Sequence, residues 1–481
     1  MPPTSPSSLA RSALALFGFL AASIGALAAA PLLEHGEIHA LARALPAWTV
    51  APFALLLLCI AVAPLAVPKA WERHLVKGAV CLALALPACG YLVATWGEVG
   101  VAQLFEKARE YISFTTLLAS LFIICGGIFV RGSLSGTPLM NTAFLGIGAL
   151  LANVIGTTGA SMLLIRPLLR ANVARQRKTH VVVFFIFIVS NCGGLLTPLG
   201  DPPLFLGLLK GVPFEWTLSQ LFWPWFLVNG ALLALFQTLD QAIFEKEERS
   251  RPGSQLEEVM VHAPLGIEGW PNLALLAGVV LLVFASGRGL GRGGESWPFG
   301  WQEGGMLALA ALSYFATPAR LHEKNAFSFG PIVEVGVLFA GIFATMAPAL
   351  LLLNAHGASL GLHRPWHFFW AAGALSSFLD NAPTYLTFAA AAAGLHGIAP
   401  EGRYLAQLLA QPAGVKLLQA ISAGAVMMGA NTYIGNGPNF MVKAVAEQSG
   451  LKMPSFFAYM IYSCFILLPL FALVTAVFFR A

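Results

Sequence analysis

Apolar residues run in long blocks along this chain, with the polar residues gathered between them. The blocks fall at 13–30, 49–67, 78–95, 114–130, 142–165, 181–209, 218–238, 273–284, 304–315, 331–353, 366–393, 415–442 and 455–479. Apolarity all round a segment of about 20 residues is the pattern of a helix that crosses a bilayer. The pattern predicts an all-α polytopic membrane protein with about 10–11 spanning helices and two re-entrant hairpins. The hairpins are predicted at 142–165 and 366–393, where polar residues interrupt the apolar run near its centre. The blocks 181–209 and 415–442 are predicted to be broken helices. Pro198, Gly200, Pro202 and Pro203 interrupt the first, and Gly435, Gly437 and Pro438 the second.

Composition agrees. The 481 residues are 58% hydrophobic and 10% charged, with a mean hydropathy of +0.77. A net charge of +5 arises from loop Lys and Arg, and no basic face with stacking residues marks a nucleic-acid partner. The six cysteines, Cys59, Cys81, Cys89, Cys125, Cys192 and Cys464, form no CxxC or zinc spacing and read as small buried hydrophobes. The run 13–30, preceded by Arg11 and ending in small residues, suits a cleaved signal peptide or a first spanning helix equally.

Charge sets the expected orientation. The stretch 166–178 carries Arg166, Arg170, Arg175, Arg177 and Lys178 and no acid, so it is expected in the cytoplasm. Lys69, Arg73 and Lys77 mark a second cytoplasmic loop. Both hold only if 142–165 enters and leaves on one side. The second hairpin then enters from the opposite side, and its following loop, 394–414, has a single basic residue, Arg403. The organisation expected is an N-terminal segment (1–48), a first repeat (49–242), a charged cytoplasmic linker (243–271) and a second, inverted repeat (272–481).

The repeats have internal support. "TPLGDPPLF" (197–205) aligns with "TYIGNGPNF" (432–440), which sets Asp201 opposite Asn436. "LLANVIGTTGAS" around Asn153 resembles "SFLDNAPTYLT" around Asn381. Inverted repeats with broken helices are a transporter pattern. Backbone freed by the breaks survives in hydrocarbon only where protein or a hydrated cavity satisfies it. An acid at mid-membrane costs about 2.5–3.5 kcal/mol on insertion scales, so Asp201 is expected to be functional, holding Na+ or a proton. Asp380 is the second acid. The candidate ion and substrate residues are Asn153, Thr157, Thr158, Asn191, Thr197, Gly200, Asp201, Asp380, Asn381, Thr384, Asn431, Thr432, Gly435 and Asn436. Among them Asp201, Asp380, Asn153 and Asn381 are the candidate Na+ ligands, since hard oxygen donors suit an alkali cation. For the Asn and Thr residues singly, helix capping is an equal reading. Glu334 reads as a packing or proton-entry residue at a cytoplasmic helix end. No organic cofactor is expected.

Two patterns mislead. "GASLG" (357–361), beside His356, matches the nucleophile-elbow pattern but lies in a loop between spans, without the strand–turn–helix that motif needs. "GRGLGRGG" (287–294) has no preceding strand and reads as a loop.

The stretches "SNCGGLLTPLGDPPLFLGL" (190–208), "LSSFLDNAPTYLTF" (375–388) and "GANTYIGNGPNFMVKA" (429–444) resemble the ion transporter superfamily. That group includes D-type sodium:proton antiporters, arsenite permeases, citrate–metal symporters and dicarboxylate symporters. The resemblance is nearest to its sodium:proton antiporter and citrate transporter branch, and covers the chain from about residue 49. It implies a homodimer in a bacterial-type inner membrane, with a scaffold and an elevator-like transport part, moving small inorganic ions or small anions. Dicarboxylate symporters carry Ser-Asn-Thr at both hairpin tips. Here the tips read Ala152-Asn153-Val154 and Asp380-Asn381-Ala382, which argues against a dicarboxylate. The reading is Na+/H+ antiport, with cation- or proton-coupled transport of citrate, another organic anion or arsenite as the alternative. A membrane enzyme would need a catalytic constellation, and a structural or receptor protein would not need twin breaks with polar tips.

Overall fold

The computed structural model describes residues 6–28, 45–71, 73–133, 136–249, 263–293, 297–325, 327–356 and 361–480. The chain is an all-α polytopic protein. Nine of its described helices are long and apolar enough to cross a membrane. The helix Pro6–Ala28 packs through Ala13, Leu20 and Leu27, one every seventh residue and so on one face.

The frame is built on the 53-residue helix His74–Gly126, which folds back at Gly97. Gly97 has φ 50° and ψ −122°, open to glycine alone. A Cβ on Gly100 would lie 2.2 Å from the Leu92 carbonyl oxygen; in a straight helix residues eight apart are about 12 Å apart. The helix Gly330–Ala355 packs on both arms. Lys77 pairs with Glu334, and Cys89 Sγ lies 3.8 Å from Ala344 O, so the first arm runs parallel to it. On the second arm, Tyr111 Oη donates to Gly336 O at 2.9 Å, and Phe114 stacks on Phe339 at 4.7 Å. Gly341 permits the close approach, since a Cβ there would lie 2.7 Å from Cys81. Glu334 is thus the ion-pair partner of Lys77. The helices Pro271–Arg288 and Trp301–Ala316 complete this frame.

The other helices form a second body. Pro138–Ala171 reverses at Gly156 (φ 75°, ψ 155°). A Cβ on Gly148 would lie 3.3 Å from Leu164 Cδ1, against about 24 Å in a straight helix, so this is a hairpin. Pro365–Ser376 and Asn381–Leu395 form the second hairpin, with the Phe368 and Phe388 rings 6.4 Å apart. The first broken helix consists of Thr179–Ile188, a 3-10 turn at Cys192–Leu195 and Pro202–Leu209. The second consists of Pro412–Met428, a 3-10 turn at Gly429–Asn431 and Gly437–Gln448. Trp216–Arg249 and Phe456–Phe478 pack around them.

Contacts near the ends of the helices sort into two groups, one at each end of the molecule. At one end, strand Phe129–Ser133 pairs antiparallel with Ala263–Glu268, Lys324 pairs with Glu268 at 2.9 Å, and Arg170 Nη2 donates to Val130 O at 2.8 Å. The Lys324 hydrogen bond holds the Glu268 carboxyl below the usual range. The first hairpin is rooted here. At the other end, Arg288 pairs with Glu215 at 2.8 Å, Leu405 N donates to Lys210 O at 3.0 Å, and Gln419 Nε2 donates to Gln220 Oε1 at 2.8 Å. The second hairpin is rooted at this end, where Pro365 and Leu395 line one cavity with Ala413 and Leu417.

Three expectations change. Part of the linker 243–271 is ordered secondary structure: the helix continues to Arg249, and 263–268 is a strand, the small ribbon that apolar periodicity could not show. Residues 250–262 lie outside the described residues, as do 357–360 of "GASLG" and Gly294 of "GRGLGRGG". Arg175 is no solvated loop charge. It is 2% exposed, and its guanidinium pairs with Asp240 at 2.6 Å and Glu247 at 3.1 Å while Nη1 donates to Gly136 O. Asp240 also bonds His180 Nε2 at 2.8 Å and Asn141 Nδ2 at 3.0 Å. Finally, Cys81, Cys125 and Cys192 are buried, but Cys464 faces outward.

Candidate functional site

The breaks place Asp201 at the centre of the second body. Pro202 and Pro203 start the half-helix Pro202–Leu209, their fixed φ suiting a first turn and their missing N–H groups costing nothing there. Asp201 precedes it in extended backbone, φ −148° and ψ 146°. Asn436 precedes Gly437–Gln448 with φ −152° and ψ 140°. Both stand at the N-cap position, yet neither side chain caps its helix. They turn toward each other instead.

The Asp201 carboxylate is 1% exposed and gathers donors from three segments. Thr157 Oγ1, from the first hairpin, donates to Oδ1 at 2.6 Å. Asn436 Nδ2, from the second break, donates to the same oxygen at 3.3 Å. Asn381 Nδ2, from the second hairpin, donates to Oδ2. Asn381 Oδ1 is buried without a hydrogen-bond partner. Among the described residues no Lys or Arg is paired with this carboxylate.

Four half-helices begin around this point, after Gly156, Asp201, Asp380 and Asn436. Their N-terminal dipole ends favour negative charge. A cavity of about 60 Å³ adjoins Asp201. Its wall combines Thr157, Thr158 and Gly200 with Phe114, Leu121 and Val335 of the frame. That is room for at least one water or a partly hydrated ion.

The remaining candidates are struts. Asn153 Nδ2 donates to Ala149 O at 2.9 Å and Gly193 O at 2.7 Å, and its Oδ1 accepts from Leu196 N at 2.8 Å. Thr197 Oγ1 donates to Asn153 O at 2.5 Å. Thr157 N donates to Gly200 O at 2.8 Å, tying the tip to the break. Gly200 has no room for a side chain, since a Cβ would lie 2.1 Å from Gly194 O. Gly435 is equally confined, 2.6 Å from Gly429 O. Thr432 Oγ1 donates to Ser377 O and accepts from Gly435 N at 3.1 Å, while Asn431 Nδ2 donates to Ser377 Oγ at 2.9 Å. Asn191 bridges the two breaks: Nδ2 donates to Asn439 Oδ1 at 2.7 Å, and Oδ1 accepts from Asn436 Nδ2 at 3.1 Å. Half-buried Asp380 caps its own hairpin arm, accepting from Ala382 N at 3.2 Å, and Thr384 Oγ1 donates to Asp380 O at 3.0 Å.

These contacts correct the alignment of the hairpin tips by one helical turn. Asn153 donates to the carbonyl four residues before it and to Gly193 O; Ser377 Oγ donates to Gly373 O at 2.8 Å and Met428 O at 3.2 Å. The break threonines bind the carbonyls of these same two residues. Asn153 therefore corresponds to Ser377, and Thr157 to Asn381. Of the four candidate Na+ ligands, Asp201 and Asn381 meet directly. The Asn153 amide is spent on backbone and Asp380 on a cap. Among the described residues no three His, Cys, Asp or Glu side chains gather as a metal site.

Sequence reading did not single out Ser377, Ser190 or Asn439. Ser190 O accepts from Asn436 Nδ2 at 3.2 Å, and Asn439 Nδ2 holds Gly429 O and Thr432 O at 2.8 and 2.9 Å. Asn439 was in reach, as a polar residue inside the repeated motif. Residues 42–479 match a protein family described as "Putative citrate transport". No curated protein matches the chain.

Proposed function

The chain belongs to this family of transporters, and from that premise we propose that it is a secondary transporter whose coupling ion is held at Asp201. The observation that carries the proposal is the buried carboxylate with three polar donors and, among the described residues, no cationic partner. Such a group is tolerated in a low-dielectric interior when a proton or a cation neutralises it. Alternate occupancy by Na+ and H+ is the chemistry of exchange. Na+ would sit between the carboxylate, Asn381 Oδ1 and the Thr157 hydroxyl, all hard oxygens.

In this reading the hairpins and broken helices move together against the frame, elevator-fashion. Residues 49–242 and 272–481 are the two inverted repeats, and the end with Arg166–Lys178 faces the cytoplasm. The protein works as a homodimer in a bacterial-type inner membrane.

A second reading has its own support. The family description names citrate, and four helix N-termini point at the site, an arrangement that suits anionic groups. An ion bound at Asp201 would then screen the carboxylate and complete a citrate site.

Proteoliposomes with an imposed pH gradient separate the two. Exchange predicts that Na+ alone collapses the gradient, with an apparent Na+ affinity that weakens as pH falls because protons compete. Uptake of labelled citrate that needs Na+ or a proton gradient, with Na+ alone inert, would replace exchange by symport. Neither activity in a folded, reconstituted protein would remove both.

A further inference from the structure

A buried charge cluster outside the ion site joins the two bodies. Lys210 follows the half-helix Pro202–Leu209, and its side chain is 5% exposed. Its ammonium donates to Glu106 Oε1 at 3.0 Å and pairs with Glu110 Oε1 at 2.6 Å. Lys107 Nζ adds a bond to Glu110 Oε1 at 2.8 Å. The two glutamates are one turn apart on the second arm of His74–Gly126, within the frame. The main chain of Lys210 belongs to the other body: its carbonyl accepts from Leu405 N, and its ammonium lies 6.0 Å from the centroid of the buried Tyr404 ring.

We propose that Lys210 with Glu106 and Glu110 is an ion-pair latch between the body that carries Asp201 and the frame, closed in the conformation seen here and open in the other end-state of transport. The inference rests on the two-body transporter reading above. A second ion pair across this boundary at the same end, Arg288–Glu215, has side chains 51% and 50% exposed, so water can replace either partner and it holds little. Lys210 has no such freedom. Sliding the Asp201 body along the frame would strand a buried ammonium from both carboxylates, which biases the protein toward the latched state. A cavity of about 270 Å³ adjoins the three charges, lined also by Gln302, Glu303 and Arg403. Glu110 Oε2 and Gln302 Nε2 are buried there without hydrogen-bond partners. Water entering this space can solvate the charges as they separate, so opening remains reversible.

The test uses full-length protein with its six cysteines replaced and a reporter cysteine at Thr158, which lines the cavity beside Asp201, compared with the same protein carrying Lys210→Met. The reporter is labelled with a membrane-impermeant maleimide from each face. With Lys210 in place labelling is expected from one face, and Lys210→Met is expected to raise labelling from the other face by about tenfold or more. An unchanged ratio of labelling from the two faces in Lys210→Met overturns the latch. Because this readout needs no substrate, it is separate from the transport test: motion without Na+ or citrate transport would reject the substrate assignment and keep the latch. Should Lys210→Met misfold, Glu106→Gln with Glu110→Gln removes the acids of the latch while keeping their shape. The same two outcomes decide.

Discussion

Replacing Asp201 by asparagine separates the chemistry of its charge from its place in the fold. The carboxylate accepts three hydrogen bonds, from Thr157, Asn436 and Asn381. In Asp201→Asn the amide oxygen can stay with Thr157 and Asn436, which leaves the new NH2 facing Asn381 Nδ2. Asn381 resolves this donor–donor clash by flipping its amide, because its Oδ1 has no other partner. All three contacts survive as neutral bonds, each weaker by about 1 kcal/mol than a charge-assisted one, and the burden of a buried charge is lifted. The net change in stability is therefore expected within about 2 kcal/mol. Asp201→Ala is different. Asn436 keeps Ser190 O and Asn191 Oδ1, and the Thr157 hydroxyl can rotate, but Asn381 Nδ2 loses its Asp201 partner and a void opens. That variant should lose about 2–4 kcal/mol. The assay pairs thermal unfolding in detergent with proteoliposome transport. Asp201→Asn should unfold close to the parent protein yet have lost ion-coupled transport, because no group at the centre can exchange a proton for a cation. Parental transport with a parental pH profile in Asp201→Asn would refute the reasoning and make Asp201 structural. Unfolding as severe as in Asp201→Ala would refute the amide-flip geometry.

Cysteines at exposed Gln176 and Arg403 should label with impermeant reagents from opposite faces, since the two hairpins are rooted at opposite ends; labelling from one face would undo that topology. Arg175→Ala should destabilise by about 3–5 kcal/mol, read by thermal unfolding, because it strands Asp240 and Glu247 in a buried site. Gly156→Ala places a Cβ at φ 75° and 3.2 Å from Leu199 O, and should cost about 1–2 kcal/mol and blunt transport; an unchanged melting point would show that the tip relaxes freely.

The spans, the two breaks and the place of Asp201 at the first of them were legible in the sequence. Hydrocarbon makes them so: a lipid-facing helix must be apolar all round, so a proline, a glycine pair or an acid inside such a run stands out against it. What the alignment could not supply was the register at the hairpin tips. Two asparagines, Asn153 and Asn381, look equivalent as letters, but a residue's role there follows its turn of helix relative to the break. Only the packed backbone shows that Asn153 shares its place with Ser377, and that Thr157 and Asn381 are the pair that reach Asp201. The charged clusters were equally hidden. Arg175 reads as a loop charge until Asp240 and Glu247, 65 and 72 residues further along the chain, close over it. Lys210 reads as the residue after a span until the arm bearing Glu106 and Glu110 folds back at Gly97. Periodicity records which environment each residue needs, bilayer, water or an interrupted helix. The partner that neutralises a buried charge is set by which helices lie side by side, and that is decided when the hairpins and broken helices dock.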